Sequence, residues 1–180
     1  MKFKFLLILV FICNVCFSQI KSKNKTEIIK TDTGFEFLRN GQPYYVNGAG
    51  GTDYLELLKS IGGNSIRTWS TDNAQEILDN AHKNGISVCL GLWVGHERHG
   101  FDYNDEYSIA AQLKAFEQDV LKYKDHPALL MWAIGNEVDL FYNNFRVWDA
   151  IEEIAKMIKE IDPYHPTMTV TAGIDPAEVF

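Results

Sequence analysis

The chain has 180 residues, of which 46% are hydrophobic and 23% charged, and its formal net charge is −7. That composition belongs to an ordinary soluble globular domain and leaves no basic surplus to draw nucleic acid. The length suits one domain.

Residues 1–18 open with Lys2 and Lys4, continue through an apolar run from Phe5 to Val15, and reach Cys16-Phe17-Ser18 before polar residues begin. This is the pattern of a secretory signal peptide, and it predicts a secreted or periplasmic protein. The run is too short for a comfortable transmembrane helix, so no stable membrane insertion is expected after cleavage; an uncleaved anchor is the alternative. A lipoprotein needs a small residue just before the cysteine, whereas Cys16 follows Asn14-Val15. Cleavage after Ser18 removes 18 of 180 residues and two lysines, leaving 162 residues at a charge of −9. Cys13 and Cys16 leave with the segment, so Cys89 becomes the single thiol and no internal disulfide is possible. The fold must then rest on its apolar core.

Residues 19–34 read as a polar lead-in followed by the first strand of a hairpin. Ile28-Ile29, Phe35-Glu36-Phe37 and Tyr44-Tyr45-Val46 are short apolar or alternating runs, separated by Asp32-Thr33-Gly34 and Asn40-Gly41. Two turn signals between three such runs predict a hairpin feeding a third strand. From there the pattern becomes strand, loop, helix, repeated. Residues 53–61 have helical spacing and stop at Gly62-Gly63, and 65–69 read as a strand. Thr71 or Asp72 is expected to cap a helix over 73–84 that ends at Gly85. A strand over 86–92 precedes a long loop, 93–105, and a helix from about 108 to 123. Leu129 to Ile134 is an apolar run between His126-Pro127 and Gly135, the mark of a strand covered on both faces. A helix over 145–161 stops before Pro163, and 167–171 begins a further strand.

Strands that alternate with helices form right-handed parallel units, so the fold class is α/β. The count is five strands and four helices within 35–180, whereas a closed barrel takes eight units and about 250 residues. An open nucleotide-binding sheet is the competing fold. It is weakened because no Gly-rich phosphate loop follows any strand, and Gly48-Ala49-Gly50-Gly51 lacks the dinucleotide spacing.

Parallel strands bring their carboxyl ends to one face, where α/β folds keep their chemistry. The residues there are Asn47 and Gly48 after the first strand, Arg67 and Trp69 on the second, Trp93 and His96 after the third, and Asn136 and Glu137 after the fourth. Indole faces stack on sugar rings, amide and guanidinium groups bind hydroxyls or carboxylates, and a carboxyl can move a proton to a glycosidic oxygen. Each also has a plainer use: the tryptophans as partly buried aromatics, Arg67 in a structural ion pair, Gly135-Asn136 in a turn. His96-Glu97-Arg98-His99 invites a metal, but histidines three apart in a Gly-flanked loop lack the helical His-Glu-x-x-His spacing. No metal or cofactor is therefore expected, and His96 is read as a substrate contact. Any of Glu97, Asp102, Asp105 and Glu106 could partner Glu137 as a second carboxyl, although solvated loop charge is their plainer use.

Phe37-Leu38-Arg39-Asn40-Gly41-Gln42-Pro43-Tyr44, Gly63-Asn64-Ser65-Ile66-Arg67-Thr68 and Trp132-Ala133-Ile134-Gly135-Asn136-Glu137 occur in the order and spacing seen at the start of clan A retaining glycoside hydrolase barrels. The chain most resembles the catalytic (β/α)8 TIM barrel of glycoside hydrolase family 2, over Phe35 to about Thr171. The resemblance implies that Glu137 is the general acid/base, that Asn136 holds the substrate 2-hydroxyl, and that Arg67 steadies the nucleophile. It also implies hydrolysis of O-glycosidic bonds in an oligo- or polysaccharide by a retaining two-carboxylate mechanism. In that family the nucleophilic glutamate lies on the seventh strand, so the chain is expected to carry the front of a barrel and to be inactive alone. A noncatalytic carbohydrate-binding or partner-dependent module is the alternative.

Overall fold

The computed structural model describes residues 24–173, so residues 1–18, read above as a signal peptide, and most of the lead-in lie outside the described residues. Among the described residues there are two sheets. The first is antiparallel, in the order β1 (Thr26–Thr31), β2 (Gly34–Arg39), β3 (Gln42–Pro43). The second is parallel and runs in sequence order: β4 (Gly48–Gly50), β5 (Ser65–Arg67), β6 (Ser87–Leu92), β7 (Leu129–Ile134), β8 (Thr167–Thr169). Helices α1 (Leu55–Ser60), α2 (Ala74–Lys83), α3 (Glu106–Tyr123) and α4 (Arg146–Ile161) make the four connections between these strands. Five parallel strands and four helices in this order are the leading part of a TIM-type barrel, preceded by a hairpin.

Each element follows from its residues. Asn40 and Gly41, both at positive φ (53° and 76°), sit between the paired residues Arg39 and Gln42, which is the two-residue turn that matches strand twist. Every residue of β6 is buried, as its apolar content requires of a strand covered on both faces. In α4 the buried residues Val147, Ala150, Ile151, Ile154 and Ile158 recur at three- and four-residue spacing, one face of a helix laid on the sheet.

Two expectations needed correction. The first parallel strand is Gly48–Gly50, not Tyr44-Tyr45-Val46, whose Tyr45 and Val46 are exposed. A Cβ on residue 48 would lie 2.8 Å from the Ser65 carbonyl oxygen, so closeness to β5, rather than apolarity, selects the residue here. Helix α2 is not capped by Thr71 or Asp72. Its first flanking residue is Asn73, in a left-handed conformation (φ 54°), while the Thr71 hydroxyl donates to Asp119 at 2.7 Å.

The antiparallel sheet is tied to the amino-terminal end of the parallel one. Arg39 Nη2 donates to the Pro127 carbonyl at 2.9 Å, the Thr26 amide to the Tyr164 carbonyl at 2.8 Å, and Asn24 Nδ2 to the Leu129 carbonyl at 2.6 Å. Beneath α4, Trp132 Nε1 donates to Asp162 Oδ2 at 2.8 Å and His165 Nδ1 lies at the same distance from that oxygen, with both His165 and Asp162 buried. Burial by itself would raise the Asp162 pKa, but the hydrogen bonds from His165 and Trp132 bring it below the usual carboxylate value. With one end of the sheet covered in this way, the carboxyl ends remain for chemistry.

Candidate active site

The turn after β7 departs from ordinary backbone in two places. Gly135 and Glu137 have φ of 75° and 54°, and the second is a conformation that side-chain-bearing residues rarely adopt. Backbone partners fix it. The Gly135 amide donates to the Leu92 carbonyl of β6 at 2.9 Å, and the Glu137 amide to the Val170 carbonyl beyond β8 at 2.7 Å. The carboxyl-bearing residue is therefore suspended between its two neighbouring strands.

Arg67, at the end of β5, donates from Nη2 to Asn136 Oδ1 at 2.7 Å. With Oδ1 taken, Nδ2 is the end of that amide left to donate to a ligand. Arg67 Nε is buried and has no partner among the described residues. The guanidinium carbon lies 5.8 Å from the Trp69 ring centre, and Gly50 of β4 faces that indole where a Cβ would stand 3.3 Å from it.

His96 reaches the same turn from the loop after β6. Its Nε2 lies 2.6 Å from the Asn136 carbonyl oxygen, which makes Nε2 the protonated nitrogen. The ring is only 2% exposed, and its Nδ1 has no partner among the described residues. Burial pulls the imidazole below its usual pKa, helped by the charges of Arg98 and His99 and opposed by the Asn136 hydrogen bond and Glu137. Trp93 packs on His96 with ring centres 4.8 Å apart.

Trp69, Arg67, Asn136, His96 and Trp93 thus form one unbroken run of contacts, with Glu137 next in sequence to its central member. Trp69 and Trp93 are 42% and 43% exposed, enough to offer indole surface at the rim. Asn47 does not join them. Because β4 begins after it, Asn47 lies at the opposite end of the sheet, where its side chain donates to the Gly62 carbonyl at 3.0 Å. Below the rim, Cys89 faces the barrel interior near Met168, and burial pushes its thiol up to about 11 despite the charge of Arg67.

The loop carboxylates each have a partner other than Glu137. Glu97 accepts the Asn143 and Asn144 amides, Asp102 that of Asn104, Asp105 that of Tyr107 at the start of α3, and Glu106 pairs with Arg146. Arg98, which the sequence reading passed over, donates from Nη1 to the Glu137 carbonyl at 2.6 Å. An arginine in an aperiodic polar loop gives no signal of such a bond. Among the described residues no three His, Cys, Asp or Glu side chains are grouped to hold a metal ion.

Residues 52–178 match the family described as "Glycosyl hydrolases family 2, TIM barrel domain". The β-glucuronidase of Paenibacillus borealis is 30% identical over 162 residues, covering 76% of this chain and 27% of its own length. The β-glucuronidase of Homo sapiens is 25% identical over 158 residues, with shares of 77% and 23%. Among solved structures, Bifidobacterium dentium β-glucuronidase complexed with coumarin-3-O-glucuronide aligns with a TM-score of 0.68 at 21% identity, covering 86% of this chain and 27% of that one. A family 2 β-galacturonidase from Eisenbergiella tayi bound to galacturonate gives 0.65 at 20% identity, with shares of 82% and 28%. The chain spans about a quarter of the length of the curated relatives it matches.

Proposed function

The chain belongs to the TIM-barrel domain family of the family 2 glycosyl hydrolases, and from that premise we propose that it carries the acid/base half of a retaining glycosidase, with Glu137 as the proton donor. The observation that carries this is the Arg67–Asn136 bond, which fixes the amide beside Glu137 with Nδ2 left to donate. In the first step Glu137 protonates the glycosidic oxygen as that bond breaks and a second carboxylate attacks the anomeric carbon. In the second step the Glu137 carboxylate takes a proton from water, which displaces the enzyme carboxylate. Asn136 Nδ2 holds the sugar 2-hydroxyl, Trp69 and Trp93 stack on sugar faces, and His96 supports the substrate-binding turn from below.

The second carboxylate is proposed to come from beyond the fifth strand, at the spacing of about 5 to 5.5 Å that retaining pairs use. Two observations support that source. The loop carboxylates Glu97, Asp102, Asp105 and Glu106 already have partners, and the buried Arg67 Nε fits a carboxylate acceptor. The substrate class is an oligo- or polysaccharide, met outside the cytoplasm if residues 1–18 act as a signal peptide.

The test uses a polypeptide in which this chain continues into a full eight-stranded barrel. Glu137→Gln should lower kcat on glycosides with poor leaving groups by about 10²–10⁴-fold, while carbohydrate binding persists. Turnover unaffected by that substitution would remove Glu137 from the chemistry.

A further inference from the structure

Two adjacent residues of the loop after β6 hold both ends of the segment that carries Glu137. Arg98 Nη1 donates to the Glu137 carbonyl at 2.6 Å and to the Leu140 carbonyl at 3.2 Å. Glu97 Oε2 accepts the Asn143 amide at 2.6 Å and the Asn144 amide at 2.9 Å. The cation thus takes carbonyls where the segment begins, and the carboxylate takes amides where it ends. All four contacts are to backbone, so they fix the path of the chain whatever side chains it bears.

The path needs fixing. Glu137 and Phe141 are both non-glycine residues in the left-handed region, at φ 54° and 59°. Such residues persist where the surroundings over-determine them, and charge-assisted hydrogen bonds are the stronger kind. The grip is itself anchored: Glu97–His99 form a short helical turn, the buried Tyr103 hydroxyl donates to the Gly95 carbonyl, and Gln112 of α3 accepts the Gly95 amide at 2.7 Å.

We propose that Arg98 and Glu97 are positioning residues for Glu137. They hold the turn from which the carboxyl projects, so that proton transfer starts from a fixed geometry. The proposal rests on Glu137 as the acid/base. It assigns to Glu97-Arg98, part of a motif whose histidines suggest a metal, the role of a backbone brace between the third and fourth parallel strands.

In the full-barrel polypeptide, Arg98→Ala should lower kcat about 100-fold, the scale of an ångström-sized misplacement. KM should stay within about threefold, because the brace does not touch substrate. Arg98→Lys should recover part of the loss, and millimolar guanidinium should partly restore Arg98→Ala. Amide hydrogen exchange, measured on the same variants, should accelerate about tenfold or more across 137–144 in Arg98→Ala and Glu97→Gln, and stay unchanged in β6 and β7. Unchanged kcat in Arg98→Ala would overturn the proposal. So would a loss of kcat with neither lysine nor guanidinium rescue and with exchange raised throughout the sheet, since that is general destabilisation. If Glu137→Gln leaves turnover intact, the acid/base assignment fails and the positioning proposal falls with it; acceleration confined to 137–144 would then mark a structural clamp only.

Discussion

Arg67 Nη2 and Asn136 Oδ1, 2.7 Å apart, join the end of β5 to the turn after β7 across the intervening strand β6. The bond is charge-assisted at one end and serves a guanidinium whose Nε is already buried without a partner among the described residues. Asn136→Ala leaves Nη2 unpaired as well, and should destabilise the chain by about 1–3 kcal/mol. Asn136→Asp supplies a carboxylate instead and should be at least as stable as Asn136. Urea denaturation of the three proteins checks the order, and an Ala variant as stable as the parent would mean that the bond holds nothing in place.

Glu137 carries a left-handed backbone conformation, at φ 54°. A left-handed residue with a Cβ costs roughly 1–2 kcal/mol, a penalty that glycine escapes. Glu137→Gly should therefore be more stable than Glu137→Ala by about 1 kcal/mol, although glycine is normally the less stabilising of the two. Paired thermal melts decide it. Ala above Gly would show that the turn is not strained.

His96 is buried neutral, with its pKa below the usual imidazole value, burial being the main cause. The unfolded imidazole, at about 6.5, takes up a proton before the folded one does. Stability should be complete above that value and decline as pH falls below it toward the folded pKa. His96→Gln, whose Nε2 can still donate to the Asn136 carbonyl, removes the titration, so the decline between pH 7 and 5 should flatten. Identical pH profiles for both proteins would assign the decline to other groups.

Asp162 works in the other direction along the acid limb. Burial raises its pKa, the bonds from His165 and Trp132 lower it, and the net shift is downward. Between the folded value and about 3.9 the unfolded chain binds the proton first. The contribution of Asp162 is thus present above about 3.9 and lost as pH falls through the folded pKa. Asp162→Asn should be less stable at pH 7 and lose less stability between pH 4 and 3. Denaturant midpoints at those three pH values test this.

The parallel order was legible because each strand and helix announces itself by its own periodicity, from the apolar run of β7 to the spaced apolar face of α4. The first parallel strand was not. Hydrophobicity pointed to Tyr44-Tyr45-Val46, while the chain uses Gly48-Ala49-Gly50, because that edge is chosen by how closely backbone must approach Ser65, a property without a sequence period. Arg67, Trp69, Trp93, His96, Asn136 and Glu137 could be named because parallel strands share an end, although Asn47, named with them, lies at the other end. What each one bonds to could not. His96 was read as reaching toward a ligand, yet its Nε2 meets the Asn136 carbonyl, and Arg98 was passed over although it holds Glu137. Both contacts are to backbone carbonyls, and no residue type in the turn signals them.

The central claim is that Glu137 is the acid/base of a retaining pair. Its most direct test is azide rescue of Glu137→Ala in the full-barrel polypeptide, using an aryl glycoside whose leaving group departs without protonation. Azide should accelerate turnover, since it attacks the covalent glycosyl-enzyme without needing a general base, and the glycosyl azide should keep the anomeric configuration of the substrate. A glycosyl azide of inverted configuration would make Glu137 the nucleophile instead, and Glu137→Ala turnover equal to the parent without azide would remove it from catalysis.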